Sequence, residues 1–139
     1  MKWHADAELK FKYRVKTLTG RSRGISMEKR INELTIYLRG WINYFGIGQG
    51  IQKCIDLDQW ICRRLRMCYW KEWRNTRTKI RNLLKSGVPH DLAVSCGASG
   101  KSYWRSAKTE GINRALTNEF FAEKGLISLR DRWVEINYG

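Results

Sequence analysis

The chain is poor in proline, histidine and acid. Its 139 residues include one proline, Pro89, and two histidines, His4 and His90. With so little proline, long stretches remain free to be helical, since no other residue is excluded from helix interiors as strongly. Two histidines 86 positions apart leave acid–base catalysis little to work with, and no Asp-Asp or Asp-x-Asp stands in a strand-like run. No catalytic residue is therefore expected, and a binding protein fits better than an enzyme. Acidic residues number 13 against 27 basic ones, a net charge of +14. An excess of that size points to a polyanionic partner. No apolar run approaches the 18 or so residues of a membrane span, and the opening M-K-W-H-A-D-A-E holds no apolar signal core. The expectation is a cytoplasmic protein with no membrane partner. The four cysteines, Cys54, Cys62, Cys68 and Cys96, form no C-x-x-C pair, so reduced thiols are expected, with no metal and no cofactor.

What the chain does have is tryptophan, seven residues of it, and 42% hydrophobic content, enough for a packed core. At the start, Leu9, Phe11, Tyr13 and Val15 alternate with cations as in a half-buried strand, while Phe11, Val15 and Leu18 also fit a helix. The strand is slightly preferred on pattern alone. Gly20 to Gly24 reads equally as a phosphate-gripping basic loop, through Arg21 and Arg23, or as a plain turn. Ser26 can cap a helix running to about Phe45 on the stripe Ile31, Leu34, Leu38, Trp41 and Phe45, with Arg39 on its far side. Gly40 interrupts it, which suggests a close neighbour at that point. A second helix is expected from about Asp56 to Arg74, with Asp56 or Asp58 in its first turn. Thr76 can cap a third, with Ile80, Leu83 and Leu84 inward and Arg77, Lys79, Arg81 and Lys85 exposed, which ends at Ser86-Gly87-Val88-Pro89, and a short one covers His90 to Ser95. The segment 95–102, S-C-G-A-S-G-K-S, nearly matches a phosphate-binding loop but lacks the first glycine and a preceding strand. Ile112, Leu116, Phe120 and Phe121 read as one more helical stripe, and Ser128 can cap a last segment. Pro89 is a candidate boundary between subdomains.

The most telling stretch is 60–74, W-I-C-R-R-L-R-M-C-Y-W-K-E-W-R. On a helix, one arc gathers Leu57, Ile61, Cys62, Leu65, Cys68, Tyr69 and Trp73, and the other Trp60, Arg63, Arg64, Arg66, Met67, Trp70, Lys71 and Arg74. The first arc can enter a core. The second mixes cations with rings and lacks an acid, the chemistry of an RNA surface, where guanidinium groups meet phosphates and rings meet bases. The plainer alternative is a solvated helix whose tryptophans build a second packing layer. Between Trp60 and Lys85 the only acid is Glu72, so the basic surface extends over Arg77, Lys79 and Arg81.

Two blocks carry a resemblance: L-R-G-W-I-N-Y-F at 38–45, and L-D-x-W-I-x-R-R-L-R-M-C-x-W-K-x-W at 57–73. Supporting stretches are L-T-G-R-S-R-G-I-S at 18–26, T-R-T-K-I-R-N-L at 76–83, Y-W-R-S-A at 103–107 and R-A-L-T-N-E-F-F at 114–121. Together they resemble the maturase-specific domain, or domain X, which occupies the thumb position of bacterial group II intron-encoded reverse transcriptases. The resemblance implies an all-α fold, a small thumb-like helical bundle over 1–75 with a helical extension over 76–139, and it turns residues 7–18 from strand to helix. It implies a module that binds group II intron RNA and assists its folding and splicing, with the RNA as catalyst. The RNA-binding set would be Arg21, Arg23, Arg39, Arg63, Arg64, Arg66, Trp70, Lys71, Arg74, Arg77, Lys79 and Arg81. It further implies target DNA as a possible partner of 76–139. The Tyr-x-Asp-Asp motif of the polymerase and the His-Asn-His nuclease of such proteins are not found in these residues. Two other functions compete: a thumb that complements a separately encoded reverse transcriptase, and a general basic DNA-binding protein.

Overall fold

The computed structural model describes residues 5–20, 23–46, 50–99, 105, 107 and 109–139. Among them are eight helices and no strand: α1 (Ala5–Leu18), α2 (Met27–Phe45), α3 (Ile51–Glu72), α4 (Thr76–Lys85), α5 (His90–Gly97), α6 (Glu110–Ala115), α7 (Asn118–Glu123) and α8 (Leu129–Tyr138). The fold is all-α, as the periodicity and the resemblance together led one to expect. Residues 5–18 are helical because burying Phe11, Val15 and Leu18 on one side outweighs the two-residue alternation. By packing, the chain forms two compact units, one of residues 1–61 with 122–139, the other of residues 62–121.

The first unit is built on α2. Ser26 caps it by accepting from the Lys29 N–H at 3.1 Å, and Ile31, Leu34, Leu38, Trp41 and Ile42 are buried along one stripe. Phe11 of α1 packs on Trp41 with ring centroids 4.2 Å apart. Two guanidinium groups close the end of α1: Arg23 donates to the Leu18 carbonyl at 2.9 Å and Arg30 to the Gly20 carbonyl at 3.2 Å. Cations at a helix C-terminus meet both its unsatisfied carbonyls and its dipole. Lys53 on α3 pairs with Glu8 on α1 at 2.7 Å, and Cys54, Leu57 and Ile61 are buried. Burial, reinforced by Asp58, pushes the Cys54 thiol up to about 11. The unit is completed from the far end of the sequence. Thr35 Oγ1 donates to the Gly125 carbonyl at 3.1 Å, Arg132 to Asn43 at 2.9 Å, and Asn137 to the Gly46 carbonyl at 2.9 Å.

The second unit gathers the C-terminal half of α3 with α4, α5 and α6. Leu65, Cys68, Trp70, Leu83, Ala93, Ile112, Leu116 and Phe121 form its interior. Tyr69 meets Phe120 and Phe121 at 5.6 and 6.0 Å between centroids. Asn75, rather than Thr76, caps α4 by accepting the Thr78 N–H at 2.9 Å, and of the expected inward residues Leu83 is buried, Ile80 half-buried and Leu84 exposed. Gly87, at φ 87°, follows its end, in the left-handed region that glycine enters at no steric cost.

Several expectations need correction. Helix α3 begins at Ile51, so Asp56 and Asp58 stand in its second turn. Asp56 bonds Gln52 on its own helix, while Asp58 caps α8. Gly40 is exposed and a Cβ there would meet nothing within 4 Å, so no close neighbour explains it. Pro89 lies inside the second unit, joining α4 to α5, rather than between units. The short helix extends past Ser95 to Gly97, so Cys96 and Gly97 of the near-match are helical, while its residues 100–102 lie outside the described residues. The stripe from Ile112 to Phe121 is broken into α6 and α7, because Thr117 Oγ1 accepts the Phe120 N–H at 3.0 Å and starts a new helix.

Candidate nucleic-acid interface

Helix α3 differs in its C-terminal half from the two-faced helix read off the sequence. The apolar arc is as expected: Leu57, Ile61, Cys62, Leu65 and Cys68 are buried. The opposite arc is not left open. Trp70 is 1% exposed and Met67 4% exposed, so neither is presented to a partner. Past Ile61 the helix has apolar side chains inward on nearly every side, as a helix enclosed in its unit must. Trp70 meets Trp73 edge-on at 5.9 Å between centroids, and the Lys79 ammonium of α4 sits 4.8 Å from its ring centroid. Lys79 is half-buried there, and burial draws its pKa down.

Arg66 works inside the unit. Its Nε donates to the Leu116 carbonyl at 2.7 Å and a terminal nitrogen donates to Asn118 Oδ1 at 3.0 Å. Those are the residues where the Ile112–Phe121 stripe breaks, so Arg66 takes up a carbonyl that a continuous helix would have satisfied. Its guanidinium also lies 5.7 Å from the Phe121 ring centroid, and burial lowers its pKa against a small opposing effect of Cys62.

The other expected cations divide by location. Arg63, Arg64 and Lys71 are half-buried along α3, and burial lowers the Arg63 pKa. Arg74 is exposed at φ 50°, just past α3, where its N–H donates to the Lys71 carbonyl at 3.0 Å. Arg77 and Arg81 are exposed on α4. In the first unit, Arg23 is exposed, but its guanidinium is engaged by the Leu18 carbonyl at 2.9 Å and by Glu33 at 2.8 Å. Arg39 is exposed but lines a groove with Asp131 and Glu135, which dilutes its charge. Arg21 lies outside the described residues.

One surface was not singled out from sequence. On α1, Lys10, Tyr13 and Arg14 are exposed together, Tyr13 by 74%. An accessible ring between cations can stack on a base while the cations hold phosphates. The clue was a helical period, under which Tyr13 falls opposite Phe11 and Val15; the strand reading hid it. Trp60, by contrast, is half-buried with the Lys12 ammonium 5.9 Å from its centroid. Among the described residues no three His, Cys, Asp or Glu side chains cluster as a metal site, and no helix is long and apolar enough to cross a membrane.

Residues 9–87, more than half of the chain, match the family described as group II intron, maturase-specific domain. The match spans α1 through α4 and includes Lys10, Tyr13 and Arg14 as well as Arg63 to Arg81. No curated protein matches the chain.

Proposed function

The chain belongs to the group II intron maturase-specific domain family, and on that premise we propose that it binds group II intron RNA and assists its folding and splicing. The family match is the observation that carries the reading, and the charge of +14 supports it. Folding an intron brings phosphates together, and a protein that supplies cations in fixed positions lowers that cost. In the second unit the proposed contacts are Arg63, Arg64, Lys71 and Arg74. In the first they are Lys10 and Arg14 for phosphates, with Tyr13 as a stacking platform. Arg66 and Trp70 hold the second unit together and reach RNA only through the positions of their neighbours. The protein contributes binding, and the transesterifications belong to the RNA.

The decisive experiment is splicing of a group II intron at low magnesium, with and without the full chain. Faster splicing with the protein present is the expected result; no change would overturn the reading. Binding to structured intron RNA should weaken with salt, log K falling by about 0.7–0.9 per log unit of salt for each phosphate contact. Replacing Arg63 and Arg64 by Gln together should lower that affinity. Duplex DNA held as tightly as the intron would replace the proposal with a general basic DNA-binding protein.

A further inference from the structure

Arg77, Arg81 and Lys85 follow one another at four-residue spacing, so they form a single row along α4. All three are exposed, and among the described residues no carboxylate pairs with any of them. Beside the row runs an aliphatic strip, half-buried Ile80 and Leu84, the latter 41% exposed. With Thr76, these residues line an open groove of about 900 Å³. Its back is fixed. Leu83 is fully buried, and a Cβ on Gly97 of α5 would lie 2.5 Å from Ile80 Cγ1, so α5 is pressed against the inner side of α4. Helix α4 cannot turn its aliphatic strip inward without displacing α5.

We propose that this groove docks an acidic amphipathic helix of a partner protein. The unpaired cation row is complementary to negative charge, and the strip to apolar side chains. RNA answers only the first need. The aliphatic strip of Ile80 and Leu84 offers no ring for a base to stack on, and ribose hydroxyls would be laid against it. A helix with Leu or Ile on one stripe, flanked by Glu or Asp, meets both at once. Ten residues of α4 extend for roughly 15 Å, matching about three turns of a partner. A second copy of this chain is a poor occupant, since two bodies of +14 repel.

The test uses the full chain and a fluorescein-labelled helical peptide of about 14 residues, with Leu on one stripe and Glu on both flanks. Two competitors are a shuffled peptide of the same composition and a single-stranded RNA of the same charge. The ordered peptide should bind at least about tenfold tighter than the shuffled one, and Leu84→Gln and Arg77→Ala/Arg81→Ala should each weaken it about tenfold or more. Leu84 is partly exposed, so its replacement leaves the core intact, and circular dichroism checks that the helices persist. Intron RNA affinity should be unchanged in Leu84→Gln, which separates this proposal from the RNA-binding one. Equal binding of ordered and shuffled peptides overturns it. So does displacement of the peptide by the RNA at equal charge with no effect of Leu84→Gln, which would make α4 a polyanion surface instead.

Discussion

The Asp58 carboxylate accepts the backbone N–H of Leu129 at 2.9 Å, from 71 residues away. It also accepts from the Arg130 N–H at 3.0 Å and from the Ser128 hydroxyl at 3.1 Å. A helix start normally takes its cap from the residue before it, and Ser128 does accept the Asp131 N–H at 3.2 Å. Asp58 satisfies the remaining donors and places a negative charge at the positive end of α8. Asp58→Ala should cost about 2–3 kcal/mol of stability, and Asp58→Asn less, because one amide oxygen still accepts. Urea melts of the three proteins check this; equal midpoints would remove Asp58 from the account of α8.

Glu8 and Asp58 shift in opposite directions, and acid stability should separate them. The hydrogen bond from Lys53 holds Glu8 below the ordinary glutamate range. Its contribution is therefore complete above its unfolded pKa and disappears as pH falls through the folded value. Burial raises Asp58 in spite of its hydrogen bonds from Arg130, Leu129 and Ser128. Its contribution lies at low pH and is lost as pH rises through the raised value. Glu8→Gln should therefore flatten the acid limb of a stability–pH curve, whereas Asp58→Asn should make that limb steeper. Parallel curves for all three proteins would contradict both assignments.

Arg74 occupies the left-handed region at φ 50°, where a side chain costs roughly 1 kcal/mol or more over glycine. Arg74→Gly should raise stability by up to about 1 kcal/mol. If Arg74 contacts RNA as proposed, the same change should weaken intron binding. Stability and affinity moving in opposite directions is the expected signature, read by thermal melts and filter binding; a joint fall would mean the side chain supports the fold.

Gly97→Ala should be costly for its size. Its new Cβ would meet Ile80 Cγ1, an atom near the backbone that cannot swing clear, so α4 and α5 must part. A loss of about 1–3 kcal/mol is expected, by the cost of overpacking. Gly40→Ala, at an open helical position, should instead stabilise by about 0.5–1 kcal/mol. Denaturant midpoints of the pair check the contrast.

The existence of most helices and the buried stripe of α2 were legible because each rests on neighbours within a turn or two, whereas on α4 only Leu83 of the expected inward set Ile80, Leu83 and Leu84 is buried. Ser26 and Ser128 cap helices as expected, while the cap of α4 is Asn75, one residue before the expected Thr76. The arrangement of α3 was not legible. A helical wheel assumes one buried arc along the whole length, yet Trp70 and Met67 go inward in the second unit, where α4 supplies Lys79 over the Trp70 ring. Nothing near Trp70 in sequence announces that. The same limit hid Arg66 on the Leu116 carbonyl and Asp58 on Leu129, both joined across 50 residues or more. Long-range polar contacts decide which cations remain for a partner, and the basic block alone cannot separate them.

The first unit is closed by residues 122–139, and in sequence the second unit, residues 62–121, is inserted between its two segments. On a ribosome, α1 and α2 emerge early but must wait for residues 122–139 before Thr35, Asn43 and Asp58 meet Gly125, Arg132 and Leu129. Residues 62–121, being contiguous, are free to fold first. A chain cut after Gly87, where the family match ends, would lose those closing contacts and should reach the cell's proteases half-finished. For a protein of this layout, synthesis of residues 122–139 is itself the step that admits the N-terminal helices to their native state.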